Sequence, residues 1–123
     1  MANEITLTFS LSFFKPAIMP VAISKALTGV QFTVTGTTYI EHSLLVPTSA
    51  TAFPLGTLTS PHWALFINQD LTNYVQIMNG ASGAVLLRLQ PGEGFPCPLD
   101  PTAVPYGIAH TAACQVDYLI ISA

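Results

Sequence analysis

The sequence predicts an all-β protein, a two-sheet β-sandwich or jelly roll of about eight strands with at most one short helix. Three observations predict it. Apolar residues recur with period two, most plainly where Ile5, Leu7, Phe9, Leu11 and Phe13 alternate with Thr6, Thr8, Ser10 and Ser12. Turn dipeptides, Asn79-Gly80 and Pro91-Gly92, separate short apolar runs. No segment repeats at a fixed interval, which sets solenoids and propellers aside.

Taken in order, Ile5–Phe13 reads as a strand with one apolar face and one face coated by hydroxyls, ended by Lys15-Pro16. Ala17–Gly29 is open between two readings: a short helix entered at Pro20 and left at Gly29, or an edge strand. Val30, Phe32 and Val34 alternate with Gln31, Thr33 and Thr35, and Tyr39–Val46 makes a further strand stopped by Pro47. Thr48–Pro61 is loop-like, with a short ordered piece near Leu55. Strands are then expected at Trp63–Asn68, Tyr74–Met78 and Val85–Leu89, the last two joined as a hairpin. Phe95–Pro105 is crowded with proline and reads as extended and irregular. A short strand near Ile108–His110 and a long one at Cys114–Ile121 close the chain, so residues 1–123 are expected to form one domain carrying a proline-rich arm at about 95–105.

Composition narrows the function. Half of the 123 residues are hydrophobic and only 7% are charged, against about 25% in ordinary soluble domains. Disordered chains combine the opposite properties. Lys15, Lys25 and Arg88 stand alone in the sequence, whereas a phosphate-tracking surface needs clustered bases, so nucleic acid is not an expected partner. The apolar runs fall well short of the ~20 residues of a membrane-spanning helix. The acid-bearing start Met1-Ala2-Asn3-Glu4 lacks the pattern of a secretory signal. Cys97 and Cys114 do not form a metal-binding C-x-x-C pair and, without secretion signals, are expected as reduced thiols.

Chemistry is sparse. His42, His62 and His110 belong to no H-x-H or H-E-x-x-H pair, so unrelated surface histidines are expected in place of a cupin-like metal centre. No G-x-S-x-G elbow is present, and Cys97 between two prolines has no basic neighbour to activate it. The six acids are dispersed, while carboxylate catalysis needs a pair. No catalytic residue, metal or cofactor is therefore expected, and the chain is read as no enzyme. Trp63, Tyr74, Asn68, Asp70 and Asn73 lie close in sequence and admit a carbohydrate-binding reading. The competing reading makes Trp63 a core residue and the Asx residues ordinary turn formers.

The run Ala64-Leu65-Phe66-Ile67-Asn68-Gln69-Asp70-Leu71-Thr72-Asn73-Tyr74-Val75-Gln76-Ile77 is followed by Leu87-Arg88-Leu89-Gln90-Pro91-Gly92-Glu93, then Tyr106-Gly107-Ile108-Ala109 and Val116-Asp117-Tyr118-Leu119-Ile120. In that order the chain, from about Gln31 to Ile121, resembles a group of small bacteriophage virion proteins. Val34-Thr35-Gly36-Thr37-Thr38-Tyr39 fits the same group. The resemblance implies a β-sandwich building block of a phage particle, commonly a capsid decoration (cement) protein that sits as a trimer on the shell. Its partners would be further copies of itself and the major capsid protein or other virion subunits. It would be made in the host cytoplasm and end in the virion. A tail or baseplate protein, and a carbohydrate-binding sandwich, are the alternatives.

The physical reading points the same way. A folded monomer of this mass exposes roughly 6,400 Å², and nine charged side chains are few for that area. The apolar remainder should mark contact patches. Trp63, Phe13, Phe14, Phe95 and Tyr106 are the interface candidates, because aromatic residues concentrate at interface centres. Phe14 falls on the hydroxyl-coated face of the first strand. Each aromatic can equally be an ordinary core residue. The Phe95–Pro105 arm suits a strap, since proline lowers the entropy lost on docking.

Overall fold

The computed structural model describes residues 5–13, 23–32 and 38–122. Ten strands and, among the described residues, no helix are present. The all-β class is as the alternation predicts. The chain divides into two compact units, residues 1–34 and 35–123.

The first unit holds β1 (Ile5–Phe13) and β2 (Ile23–Phe32), paired antiparallel. The helical option for 17–29 fails over its described part, because Ile23–Gly29 is strand. Gly29, expected past a helix end, instead sits inside β2 at φ +61°. The register steps from Leu7↔Val30 to Phe9↔Leu27, so Thr28 and Gly29 face Thr8 alone. This is a bulge in which glycine takes the left-handed position. Thr8 Oγ1 accepts a hydrogen bond from Gly29 N at 2.9 Å and satisfies the displaced amide. Ile5 and Leu7 are half-buried, while Phe9 is 39% and Leu11 73% exposed.

The second unit is built from β3 (Tyr39–Val46), β4 (Thr51–Ala52), β5 (Pro61–Asn68), β6 (Val75–Asn79), β7 (Val85–Leu89), β8 (Gly94–Pro98), β9 (Pro105–Ala109) and β10 (Cys114–Ser122). One sheet runs β3-β10-β5-β8 and the other β4-β9-β6-β7, all pairs antiparallel. Counted from β3, the orders are 1-8-3-6 and 2-7-4-5, the double Greek key of an eight-stranded jelly roll. The sandwich predicted from the alternation is thus formed entirely by residues 38–122.

Alternation decides the layers. In β10, Cys114, Val116, Tyr118, Ile120 and Ser122 are buried, and the residues between them face outward. β5 repeats this with Ala64, Phe66 and Asn68 inside, and β9 with Pro105, Gly107 and Ala109. Phe53, one residue beyond β4, joins the two sheets: its ring lies 5.0 Å from Phe66 and 5.1 Å from Tyr118. The Tyr118 hydroxyl donates to Pro54 O at 2.7 Å, so the buried phenol keeps its partner. At Gly107 a Cβ would come within 3.0 Å of Phe53 and 3.1 Å of Val46, so only glycine lets β9 approach this closely.

Two expectations about loops change. The ordered piece in Thr48–Pro61 is β4 with Phe53, not a stretch near Leu55, because Phe53 is the side chain that plugs the core. The proline-rich arm at 95–105 is stitched into the sandwich at both ends. Phe95–Pro98 pair with β5, Leu99 is buried, and Pro105 opens β9. Pro96 and Pro98 are two residues apart, so both turn their missing donors toward the same open edge. Asp100–Val104, between these anchors, is turn.

Candidate functional site

Of the predicted interface aromatics, Phe14 lies outside the described residues, as do the Phe13 and Phe32 side chains. The other three do not form one patch. Trp63 is half-buried on the outer face of β5. Phe95, on edge strand β8, pairs with core residue Phe66 and is still 44% exposed. Tyr106 is half-buried on the outer face of β9, in the opposite sheet.

The polar residues of the carbohydrate-binding reading are spent on their own loop. Asn68 is fully buried, and its Nδ2 donates to the carbonyls of Asn73 (3.0 Å), Leu89 (3.1 Å) and Gln90 (3.2 Å). Its Oδ1 accepts from Asp70 N at 3.0 Å. Asp70 Oδ2 in turn accepts from the amides of Thr72 (3.0 Å) and Asn73 (2.6 Å). These two backbone donors hold the Asp70 carboxyl below the usual carboxylate range. Asp100 is lowered in the same way by Thr102, whose amide and hydroxyl both donate to it.

The histidines are dispersed over β3, β5 and the turn after β9. Among the described residues, no three of His, Cys, Asp and Glu gather as a metal ion requires. His110 Nδ1 and Thr111 Oγ1 are 2.8 Å apart, but the imidazole is stacked on Tyr74. Both cysteines are free thiols. Burial pushes Cys97 up to about 11, and burial with the nearby Asp70 charge also raises Cys114. Neither is an activated nucleophile at neutral pH.

What the sandwich does present is two outer faces with exposed large apolar side chains. On the β3-β10-β5-β8 sheet, register aligns Tyr39 with Ile121 and Trp63, Glu41 with Leu119 and Leu65, and Ser43 with Asp117 and Ile67. Tyr39 is 70% and Leu45 59% exposed. A cleft of about 430 Å³ opens on this face, floored by Leu65, Ile67 and Leu119 and flanked by Glu41 and Asp117. The two carboxylates belong to diagonal neighbours on adjacent strands, a spacing of ~7–8 Å between residues. Sequence reasoning treated the acids as dispersed; pairing of β3 with β10 brings these two together.

On the β4-β9-β6-β7 sheet the outer face is aromatic and basic. Arg88, Gln76 and Ile108 share one row. Arg88 Cζ lies 3.7 Å from the centroid of the Tyr74 ring, and His110 stacks on the same ring at 4.5 Å with planes 13° apart. Cation–π attraction, worth about 0.5–1 kcal/mol at an exposed site, favours this placement of the guanidinium. Beside it, Val85 and Leu86 are 49% and 40% exposed. Arg88 is the single Lys or Arg between Thr35 and Ala123, against Glu41, Asp70, Glu93, Asp100 and Asp117. Arg88 is isolated in the sequence and sits in the apolar run Val85–Leu89.

No helix of the described residues is long and apolar enough to cross a membrane. Comparison of the chain with protein-family models, with curated proteins and with solved structures found no match.

Proposed function

We propose that this chain is a non-enzymatic structural subunit of a bacteriophage particle, a capsid decoration protein that stabilises the head shell as a homo-oligomer. The observation that carries the reading is the sandwich whose two outer faces both expose large apolar side chains, in a chain with nine charged side chains. Faces of this kind lose free energy in water and gain it against a partner. The Asn68–Asp70–Asn73 network, spent internally, counts against the carbohydrate-binding reading. The resemblance from Gln31 to Ile121 supplies the kind of assembly, and the jelly-roll topology suits it, although that topology also serves lectins and enzymes.

The test compares complete phage particles with particles assembled without this protein. Complete particles are expected to hold their genome to a higher temperature, read by dye access to DNA during heating. Equal release temperatures for the two preparations would remove the stabilising role.

A further inference from the structure

We infer that the two outer faces of the sandwich bind each other between copies of this chain, with Arg88 of one copy seated in the Glu41–Asp117 cleft of the next. The inference rests on the assembly reading above and adds which surfaces meet. The cleft face carries two carboxylates and neither Lys nor Arg. The opposite face carries Arg88 and His110 and no carboxylate. Ser43 and Gln115 on the cleft face and Gln76 on the other stand among apolar neighbours, so both faces supply apolar area and the charges fix orientation.

The cleft is lined by Leu65, Ile67 and Leu119 together with Glu41, Ser43 and Asp117. The opposing surface is a guanidinium held on the Tyr74 ring, with exposed Val85 and Leu86 beside it. An arginine resting on an aromatic ring with apolar flanks is the kind of group that anchors an interface. Among the described residues Arg88 forms no ion pair, so it is available to a carboxylate of another molecule. Asp70 and Asp100 are occupied as acceptors within their own turns and Asp117 also accepts from Gln69 Nε2 at 2.9 Å, so Glu41 is the cleft acid on which the pairing with Arg88 is placed.

Like-face pairing is disfavoured by the same charges. Two cleft faces would oppose four carboxylates, and two basic faces would oppose arginine to arginine. The contact is therefore head-to-tail, and a head-to-tail contact that closes makes a ring.

The experiment uses the full chain, with mass measured by light scattering and affinity by sedimentation across a concentration series. The wild type is expected to self-associate, as a ring where the head-to-tail contact closes and as a concentration-dependent series of larger species where it does not. Arg88→Glu and Glu41→Arg, both exposed positions, are each expected to weaken assembly about tenfold or more through like-charge opposition. Circular dichroism and thermal unfolding of the dissociated variants check that the fold is kept. The chain carrying both reversals restores opposite charges across the contact and is expected to recover the wild-type mass. Single variants that assemble as the wild type does would overturn this interface while leaving the assembly reading standing. Failure of the double variant to recover would overturn the Arg88–Glu41 pairing. A wild type that stays monomeric at millimolar concentration would remove both the interface and the homo-oligomer.

Discussion

The amide of Asn68 donates to carbonyls on both sides of the jelly-roll end: Asn73 in the loop after β5, and Leu89 and Gln90 at the end of β7. Its backbone continues the knot, since Asn68 N donates to Glu93 O at 2.8 Å and Asn68 O accepts from Gly92 N at 3.0 Å. An apolar replacement fills the same space but leaves three carbonyls and the Asp70 amide without this partner. Asn68→Leu is therefore expected to lose about 2–4 kcal/mol, the cost of leaving buried polar groups unpaired. Urea unfolding followed by tryptophan fluorescence measures it, and a loss below ~0.5 kcal/mol would mean that water replaces the amide. The sequence made part of this visible. Asn68, Asp70 and Asn73 read as turn formers, and Asp70 behaves as one. Complete burial of Asn68 was hidden, because it follows from the β7–β8 turn folding back over β5, a contact between residues more than twenty apart.

Among the elements, β8 is the instructive one. It forms the edge of the cleft-bearing sheet, and a strand edge offers unpaired backbone groups to any other strand. Pro96 and Pro98 remove two donors from that edge while leaving the bonds to β5 in place. The double variant Pro96→Val with Pro98→Thr is expected to fold with the same sheet but to aggregate faster. Turbidity and light scattering at 37 °C against the wild type report this, and equal aggregation would show that the edge is guarded by something else. The same prolines made the strand illegible, since a proline-crowded stretch carries no alternation to read. The short β4 was illegible for another reason: its two residues matter only because they carry Phe53 to the core. By contrast β1, β3, β5, β6, β7 and β10 were readable, because each alternates or runs apolar between turn signals. The Glu41–Asp117 cleft needed β3 to pair with β10, from opposite ends of the sandwich, and no local pattern encodes that.

For the molecule as a whole, sparse charge predicts a plain dependence of stability on pH. Asp70 and Asp100 have folded pKa values below their ordinary range, because backbone amides donate to their ionised carboxylates. Groups of this sign stabilise the fold above the unfolded carboxylate pKa of about 3.9. Their contribution disappears as pH falls through the still lower folded values. Cys97 has the opposite sign: burial raises its thiol from 9.0 to about 11. The neutral thiol favours the fold below pH 9, and ionisation in the unfolded chain removes that advantage as pH rises from 9 toward 11. The melting temperature is thus expected to form a plateau from about pH 5 to 8 and to fall on both sides, read by calorimetry at fixed protein concentration because assembly also shifts it. Cys97→Ser separates the two flanks: it should make the alkaline fall shallower, with Cys114 and Tyr118, both also raised by burial, supplying the rest, and leave the acid fall unchanged. In parallel, a thiol reagent at pH 8 should label native Cys97 far more slowly than the urea-unfolded chain. Equal labelling rates in the two states would show that the β8 edge opens freely, and the alkaline flank would then need another cause.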